Sequence, residues 1–261
     1  MLGRHHLLIS LFTVFTILAP FSTSFSDLTL VIFLGVAVGA LIPDVDSPDA
    51  TIFHNKVKGV SRNLRAITNL FAIVFPAFGF ITKYFIYKPA LIICKKTILK
   101  EFSIQERHRG FLHSLIGLVF LIILTSLYLL IFIIVFKVFS LTHFVLFVLG
   151  YSVGAFLHLV EDSCTKSGIA FNYPFSKNAY KGQIVTSVFT VSQPDFFMSF
   201  LMVTSIVSFF LPRSIKIDPI LVSFVMFLVI LLSWFVFLRF IAKVRLDPEG
   251  ITYYESSKSM F

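Results

Sequence analysis

Seven long apolar segments dominate this chain and restrict it to a fold made of membrane helices. They run over residues 7–25, 28–42, 67–94, 111–136, 143–161, 196–211 and 220–241. A helix needs about 20 residues to cross the hydrocarbon of a bilayer, and most of these segments come close to that length or exceed it. Only 13% of the residues are charged, about half the usual share in a soluble domain. We therefore expect an all-α, polytopic membrane bundle of about six or seven hydrophobic segments.

Composition limits the organisation and the partners of the chain. We expect a single membrane domain over residues 1–245, with the motifs in 1–180, extra spans over 196–241 and a polar tail over 246–261. The net charge of +9 does not indicate nucleic-acid binding, because Lys and Arg of membrane proteins mark cytoplasmic loops and contact anionic headgroups. Two cysteines are too few for a disulfide framework. Cys164 is either a soft metal ligand or a small buried thiol.

Side chains that bind metals lie where the apolar segments end. They form four clusters, which are His5-His6, Asp44-Val45-Asp46, His108 to His113, and His158 to Asp162. All four share one membrane face if segment 67–94 crosses an even number of times, as a re-entrant hairpin or an interfacial helix would. That face then receives every Lys and Arg except Lys137, Arg213 and Lys216. By the positive-inside rule, this face is cytoplasmic.

The most specific pair is His158 and Asp162. Positions four apart lie on one face of a helix, so both side chains can reach one metal ion. Alternatively, Asp162 bonds the imidazole and fixes its tautomer, the usual role of a residue behind a ligand. A polar pair that caps the end of a helix at the interface is the simplest explanation. The neighbouring clusters favour the metal site.

His108 and His113 are five residues apart, which places them roughly 140° apart on a regular helix. They converge only if His108 precedes the helix in a turn, which Gly110 allows. Arg109 is suited to contact a phosphate or carboxylate of a substrate. Alone, His113 would be read as a buried histidine with its hydrogen bonds satisfied. With His108 and Arg109 beside it, we expect a functional segment.

Asp44 and Asp46 lie in a short acidic loop, in which Pro43 and Pro48 restrict the backbone. Alternating carboxylates suit a hard divalent ion or a bridge between two ions. The alternative is an acidic turn that caps a helix. His5 and His6, before the first span, are further candidate ligands, and the alternative for them is a solvated terminus.

In order and spacing, these motifs resemble the YdjM-like family of membrane-bound metal-dependent hydrolases, some described as LexA-regulated inner-membrane proteins. The resemblance covers about residues 1–180, whereas 54–106 and the region after 195 depart from it. It rests on four motifs in chain order. The first two are an N-terminal histidine and the stretch Gly39 to Asp46. The other two are His108-Arg109-Gly110 with His113-Ser114, and His158-x-x-x-Asp162-x-x-Thr165-x-x-Gly168 followed by Pro174-Phe175. It implies an inner-membrane location and the hydrolase class, but no substrate.

The resulting hypothesis is a metal-dependent hydrolase at the cytoplasmic face of the inner membrane. The candidate metal ligands are His5, His6, Asp44, Asp46, His108, His113, His158 and Asp162, and the candidate catalytic residues are Arg109, His113 and Asp162. Mixed histidine and carboxylate ligands favour one or two Zn or Mn ions. The location at headgroup depth suggests a membrane lipid, a phosphoester or an ester, as substrate.

Two alternatives remain open. A metal-independent lipid phosphatase could use His158-x-x-x-Asp162, but the companion Pro-Ser-Gly-His motif is absent. A divalent-metal transporter or a membrane scaffold is the other alternative. A transporter should carry its ligands near the middle of the bilayer, whereas these lie at the ends of spans.

Overall fold

The computed structural model describes residues 1–22, 26–46, 79–96, 100, 109–185, 192–248 and 250. Its helices are α1 (Gly3–Leu18), α2 (Asp27–Leu41), α3 (Lys88–Lys96), α4 (Leu115–Phe136), α5 (Leu141–Ser163), α6 (Gln193–Ile215) and α7 (Pro219–Val236). Two short strands, β1 (Ala179–Lys181) and β2 (Arg245–Asp247), pair antiparallel. Among the described residues, six helices are long and apolar enough to cross a membrane, and α3 is not one of them. The prediction of an all-α membrane bundle is confirmed.

Helices α2 and α5 lie side by side, run in the same direction and approach each other very closely. Each carries two glycines four residues apart at the contact, Gly35 and Gly39 in α2, Gly150 and Gly154 in α5. A Cβ at any of them would collide with the backbone of the other helix; at Gly154, it would meet the carbonyl oxygen of Val36. In a bilayer, small residues at this spacing allow close backbone packing, which replaces the hydrophobic effect as the source of helix association.

Helix α1 packs on α6 and α7 through buried hydroxyl groups. Thr16 Oγ1 lies 2.7 Å from Ser205 Oγ, and Ser208 Oγ donates to the carbonyl oxygen of Thr16 at 2.6 Å. The indole Nε1 of Trp234 in α7 donates to Thr13 Oγ1 at 3.3 Å. Since lipid offers no hydrogen-bond partners, polar groups of spanning helices find their partners in one another.

The end of α2 and the start of α4 meet at the same end of the bundle. The turn Ile42–Asp46 follows α2, the turn Phe111–His113 precedes α4, and the two are in contact. The chain therefore leaves α2 and enters α4 at the same end of the bundle. The described part of the predicted segment 67–94 is helical and buries Tyr87, Leu91 and Cys94 in the core that contains both turns.

The chain after α5 folds back over this end of the bundle. Thr165 to Gly168 form a tight turn, in which the Gly168 nitrogen donates to the carbonyl oxygen of Thr165 at 3.1 Å, and Gly168 has φ of +64°. Strand β1 then pairs with β2, and Lys181 Nζ contacts Asp247 Oδ2 at 2.8 Å. The first residues of the predicted polar tail are thus part of a small sheet.

Two helix boundaries differ from the sequence-based ones in a way that affects the candidate residues. Helix α1 begins at Gly3, so His5 and His6 lie in its first turns and not ahead of it. Helix α4 begins only at Leu115, because Ser114 caps it by accepting a hydrogen bond from the Gly117 nitrogen at 3.1 Å. His113 consequently lies in the preceding turn.

Candidate metal centre

Four of the predicted ligands come together at one end of the bundle, and they come from three separate segments of the chain. Asp44 lies in the turn that ends α2, His113 in the turn before α4, and His158 and Asp162 in the last turns of α5. Their ligand atoms all lie within 4.8 Å of one another. Segments that are more than 100 residues apart in the chain therefore contribute to one group.

Five of the six distances within this group are nearly equal, and the sixth, between the two carboxylates, is at most 4.8 Å. His113 Nε2 lies 3.4 Å from Asp44 Oδ1 and 3.4 Å from Asp162 Oδ2. His158 Nε2 lies 3.5 Å from the same Asp44 oxygen and 3.7 Å from the same Asp162 oxygen. The two histidine Nε2 atoms are 3.4 Å apart. One atom of each residue thus faces a common centre.

These spacings fit a tetrahedral metal site. Nitrogen and oxygen ligands about 2.0–2.1 Å from a zinc ion stand roughly 3.3–3.4 Å apart at the corners of a tetrahedron, close to the observed values. His113, His158 and Asp162 are at most 1% exposed, and Asp162 Oδ2 is buried without a hydrogen-bond partner. Because a buried carboxylate oxygen without a partner is costly, the residues fit a cation at this centre better than a set of internal hydrogen bonds.

The orientation of His158 is fixed from behind by the backbone of α2. Its Nδ1 lies 2.7 Å from the carbonyl oxygen of Ala40, and since a carbonyl only accepts, Nδ1 carries the proton and donates. Nε2 is then unprotonated in the neutral ring and directs its lone pair toward the group. A histidine that binds a metal usually donates its other N–H in this way. The contact depends on the close approach of α2 and α5 at Gly39 and Gly154.

Asp162 divides its two oxygens between two environments. Oδ2 faces the four-residue group, whereas Oδ1 accepts from Arg109 Nη2 at 3.1 Å and lies 2.7 Å from the Met1 nitrogen. Arg109 also donates through Nη1 to Thr165 Oγ1 at 2.7 Å. Arg109, and not Gly110, adopts the left-handed conformation in this turn, with φ of +61°. Such strain in a non-glycine residue is typical of functional sites.

His5 and His6 diverge although they are adjacent. His6 is buried, stacks on the His158 ring with centroids 3.9 Å apart, and places Nδ1 2.9 Å from Glu161 Oε2. His5 is also buried, but its Nε2 lies 3.0 Å from Asp195 Oδ1 at the start of α6. Neither belongs to the four-atom group, and their assignment as ligands stays a prediction.

Two further candidates lie outside the described residues. They are His108, and the side chain of Asp46, whose backbone ends the turn after α2. Cys164 is described and does not join the group. Its thiol donates to the carbonyl oxygen of Val160 at 3.5 Å, and burial raises the pKa of the thiol. This arrangement fits the simpler interpretation of Cys164 as a small buried thiol.

Sequence reasoning missed two features of this end of the bundle. Glu161 is completely buried beside Asp162 and accepts from Ser10 Oγ at 3.1 Å. Its signal was a charged residue inside an apolar span, which is seldom retained without a role. The second feature is the glycine contact between α2 and α5, whose signal was the four-residue spacing in each helix.

Comparison with known proteins identifies the family of the chain. The family model described as YdjM inner membrane protein matches residues 1–242. The chain therefore belongs to this family and is an integral inner-membrane protein. The match takes in the last two spans and thus extends beyond residues 1–180, on which the resemblance was based. No curated protein and no solved structure matches the chain.

Proposed function

We propose that this member of the YdjM inner membrane protein family is a metal-dependent hydrolase that acts at the membrane surface. Asp44, His113, His158 and Asp162 would hold one divalent ion. The observation that carries the proposal is the near-tetrahedral arrangement of their four ligand atoms, with five spacings between 3.4 and 3.7 Å. Two imidazoles and two carboxylates favour Zn or Mn over Mg or Ca.

Electrostatics supports a divalent cation at this position. Two ionised carboxylates and two neutral imidazoles would balance the charge of one divalent ion, which suits a site that is largely sealed from water. A tetrahedral ion with these four ligands has no free position, so hydrolysis would need a fifth one, at which the ion would polarise the scissile group and lower the pKa of a water molecule. Arg109 shares Asp162 with the group and keeps one carboxylate oxygen directed inward. His158 is held by Ala40, so the ligands need little reorganisation.

The open side of the site favours an anionic substrate. Asp44 is 18% exposed and Arg109, beside the group, is 13% exposed, whereas His113, His158 and Asp162 are sealed. A guanidinium at the entrance would attract a phosphate or carboxylate. The site lies where four spans end, which would place it at the depth of lipid headgroups. We therefore propose a lipid phosphoester or ester as the substrate class.

Charge distribution supports a cytoplasmic orientation of the site. Basic residues among the described ones at this end include Arg4, Arg109, Lys166, Lys181 and Arg245, together with those of α3. The described basic residues at the opposite end are Lys137 after α4, and Arg213 and Lys216 at the end of α6. Since Lys and Arg accumulate on cytoplasmic loops, the site would face the cytoplasm.

A metal-independent phosphatase is supported less well. Such an enzyme needs a histidine whose free nitrogen attacks phosphorus, and His158 donates Nδ1 to Ala40 while Nε2 faces two carboxylates. Two carboxylates there would also repel a phosphate. A transporter should bind its ion near the middle of the bilayer, whereas this group lies at the ends of spans, so a transporter is supported less well too.

The test combines metal content with hydrolysis. Protein purified in detergent would be compared with His158→Ala and Asp46→Ala by elemental analysis, and then incubated with phosphatidic acid and with a diacylglycerol. We expect one Zn or Mn per chain and release of phosphate or fatty acid, both lost in His158→Ala. Retention of the ion in Asp46→Ala would exclude Asp46 as an essential ligand. A folded wild type that takes up neither Zn nor Mn would overturn the proposal.

A further inference from the structure

The side chain of His6 has no place among the four ligand atoms, yet it is as deeply buried as they are. Its ring lies on the ring of His158, with the centroids 3.9 Å apart and the planes inclined by 21°. Outside the four-residue group, His158 has one hydrogen bond, which its Nδ1 donates to the carbonyl oxygen of Ala40. A single hydrogen bond at Nδ1 still allows the His158 ring to tilt about that bond. The His6 ring, stacked on its face, limits this tilt.

His6 lies beside a chain of buried polar groups that starts in α1. Ser10 Oγ donates to Glu161 Oε1 at 3.1 Å, and Glu161 Oε2 lies 2.9 Å from His6 Nδ1. Both Ser10 and Glu161 are fully buried. Glu161 precedes Asp162 on α5, so the chain connects the first turns of α1 with the helix that carries two of the ligands.

The remaining nitrogen of His6 is not one of the four ligand atoms. Nε2 lies 3.5 Å from Asp162 Oδ1, the oxygen that Arg109 binds, and not the oxygen that faces the other ligands. The guanidinium of Arg109 also makes a second cation at this oxygen unfavourable. The geometry therefore argues against His6 as a ligand of the first ion and against a second ion beside it.

We propose that His6 is a positioning residue, whose ring lies between Glu161 and the face of His158 and keeps Nε2 of His158 directed at the metal. This inference rests on the metal site of the proposed function and not on hydrolysis. It assigns a role to the first turns of α1 and to Glu161. Partners behind a metal ligand typically account for about 10–100-fold in metal affinity.

The experiment is a Co²⁺ titration of the full-length protein in detergent, followed by the visible absorption of the bound ion, which reports the number and kind of ligands. His6→Ala should still bind one ion with the wild-type spectrum, but about 10–100-fold more weakly. His6→Phe keeps a flat ring against His158 and should recover most of the affinity. His5→Ala is the matched control, a neighbouring buried histidine that contacts Asp195 instead, and it should bind like the wild type.

Three results would overturn the inference. Loss of the ion or a changed Co²⁺ spectrum in His6→Ala would make His6 a ligand. Wild-type Co²⁺ affinity in His6→Ala would show that His6 has no role at the site. Co²⁺ binding by His6→Phe as weak as that by His6→Ala would show that stacking on His158 is not the cause. If the wild type itself binds no Co²⁺ or Zn²⁺, the proposed function fails, and this result is distinct from the other three.

Discussion

Helices α2 and α5 carry an aspartate and a histidine at both of their shared ends, and the two ends differ sharply. At the start of the helices, His143 Nε2 donates to Asp27 Oδ2 at 3.1 Å, and Asp27 is 77% exposed. At the other end, His158 Nε2 lies 3.5 Å from Asp44 Oδ1, and His158 is completely buried. The exposed pair of Asp27 and His143 links the starts of the two helices. Only the buried end brings in His113 and Asp162, so burial and convergence, not the pair itself, distinguish a metal site.

The largest effect should come from removing a buried ligand. His158→Ala should reduce Zn²⁺ affinity by more than about 100-fold, the upper range for residues behind a ligand, because one corner of the site is lost. His143→Ala, at the other end of the same helix, should leave affinity unchanged. Isothermal titration of both variants would measure this. Equal affinities would remove the distinction between the two ends.

A smaller loss should follow from neutralising the carboxylate of α2. Asp44→Asn keeps an oxygen ligand but removes one of the two negative charges that offset the ion, so Zn²⁺ affinity should fall by about 10–100-fold. Asp27→Asn is the matched control and should not change it. Elemental analysis after dialysis would measure the zinc that each variant retains. Full retention of the ion by Asp44→Asn would show that the negative charge of Asp44 is not needed to bind it.

Separating the helices should weaken both the fold and the site. Gly154→Val would place a side chain against the carbonyl oxygen of Val36 and push Ala40 away from His158. Overpacking of this kind costs about 1–3 kcal/mol of unfolding free energy. Val153→Leu, on the partly exposed neighbouring position, should be nearly neutral. Thermal unfolding with and without Zn²⁺ would measure both effects, and a Gly154→Val protein as stable as the wild type would contradict the close packing.

The smallest of these effects should come from Arg109. Arg109→Gln removes the guanidinium that orients Asp162, and Zn²⁺ affinity should fall by about tenfold, the lower range for such a partner. Lys166→Gln, a nearby exposed residue with no assigned contact to the site, is the control. If Arg109 contacts substrate as well, hydrolysis of phosphatidic acid should fall further than metal occupancy explains. Unchanged affinity and activity would exclude both roles.

Much of the candidate site was predictable because charged and imidazole side chains are rare in membrane helices and usually have a function there. A carboxylate or imidazole at the end of an apolar span needs a partner, so Asp44, His113, His158 and Asp162 were all identified as ligands. Spacing on a helix brought His158 and Asp162 together. With an even number of crossings by segment 67–94, the order of the spans predicted that the segments meet at one face, and the structure brings the end of α2, the start of α4 and the end of α5 together.

Other features could not be predicted from the sequence. His5 and His6 were indistinguishable as candidates, yet neighbours on a helix point about 100° apart, and the position of α6 decides that His5 contacts Asp195 while His6 reaches His158. The contact of Arg109 with substrate stays a prediction, whereas its hydrogen bond to Asp162 could not be foreseen from the sequence. Each outcome depends on which helix occupies the neighbouring space.

The sequence by itself determined that the chain is a bundle of membrane helices with acidic and histidine residues at the ends of its spans, because hydrophobicity and helical spacing are local properties. Tertiary structure decided which of those residues share a centre, which oxygen of Asp162 faces it, and which histidine lies behind His158. These choices depend on distances of a few ångströms between helices, and the distances follow from how closely α2 and α5 pack at their glycines. Packing is a property of pairs of helices, so no single segment encodes it.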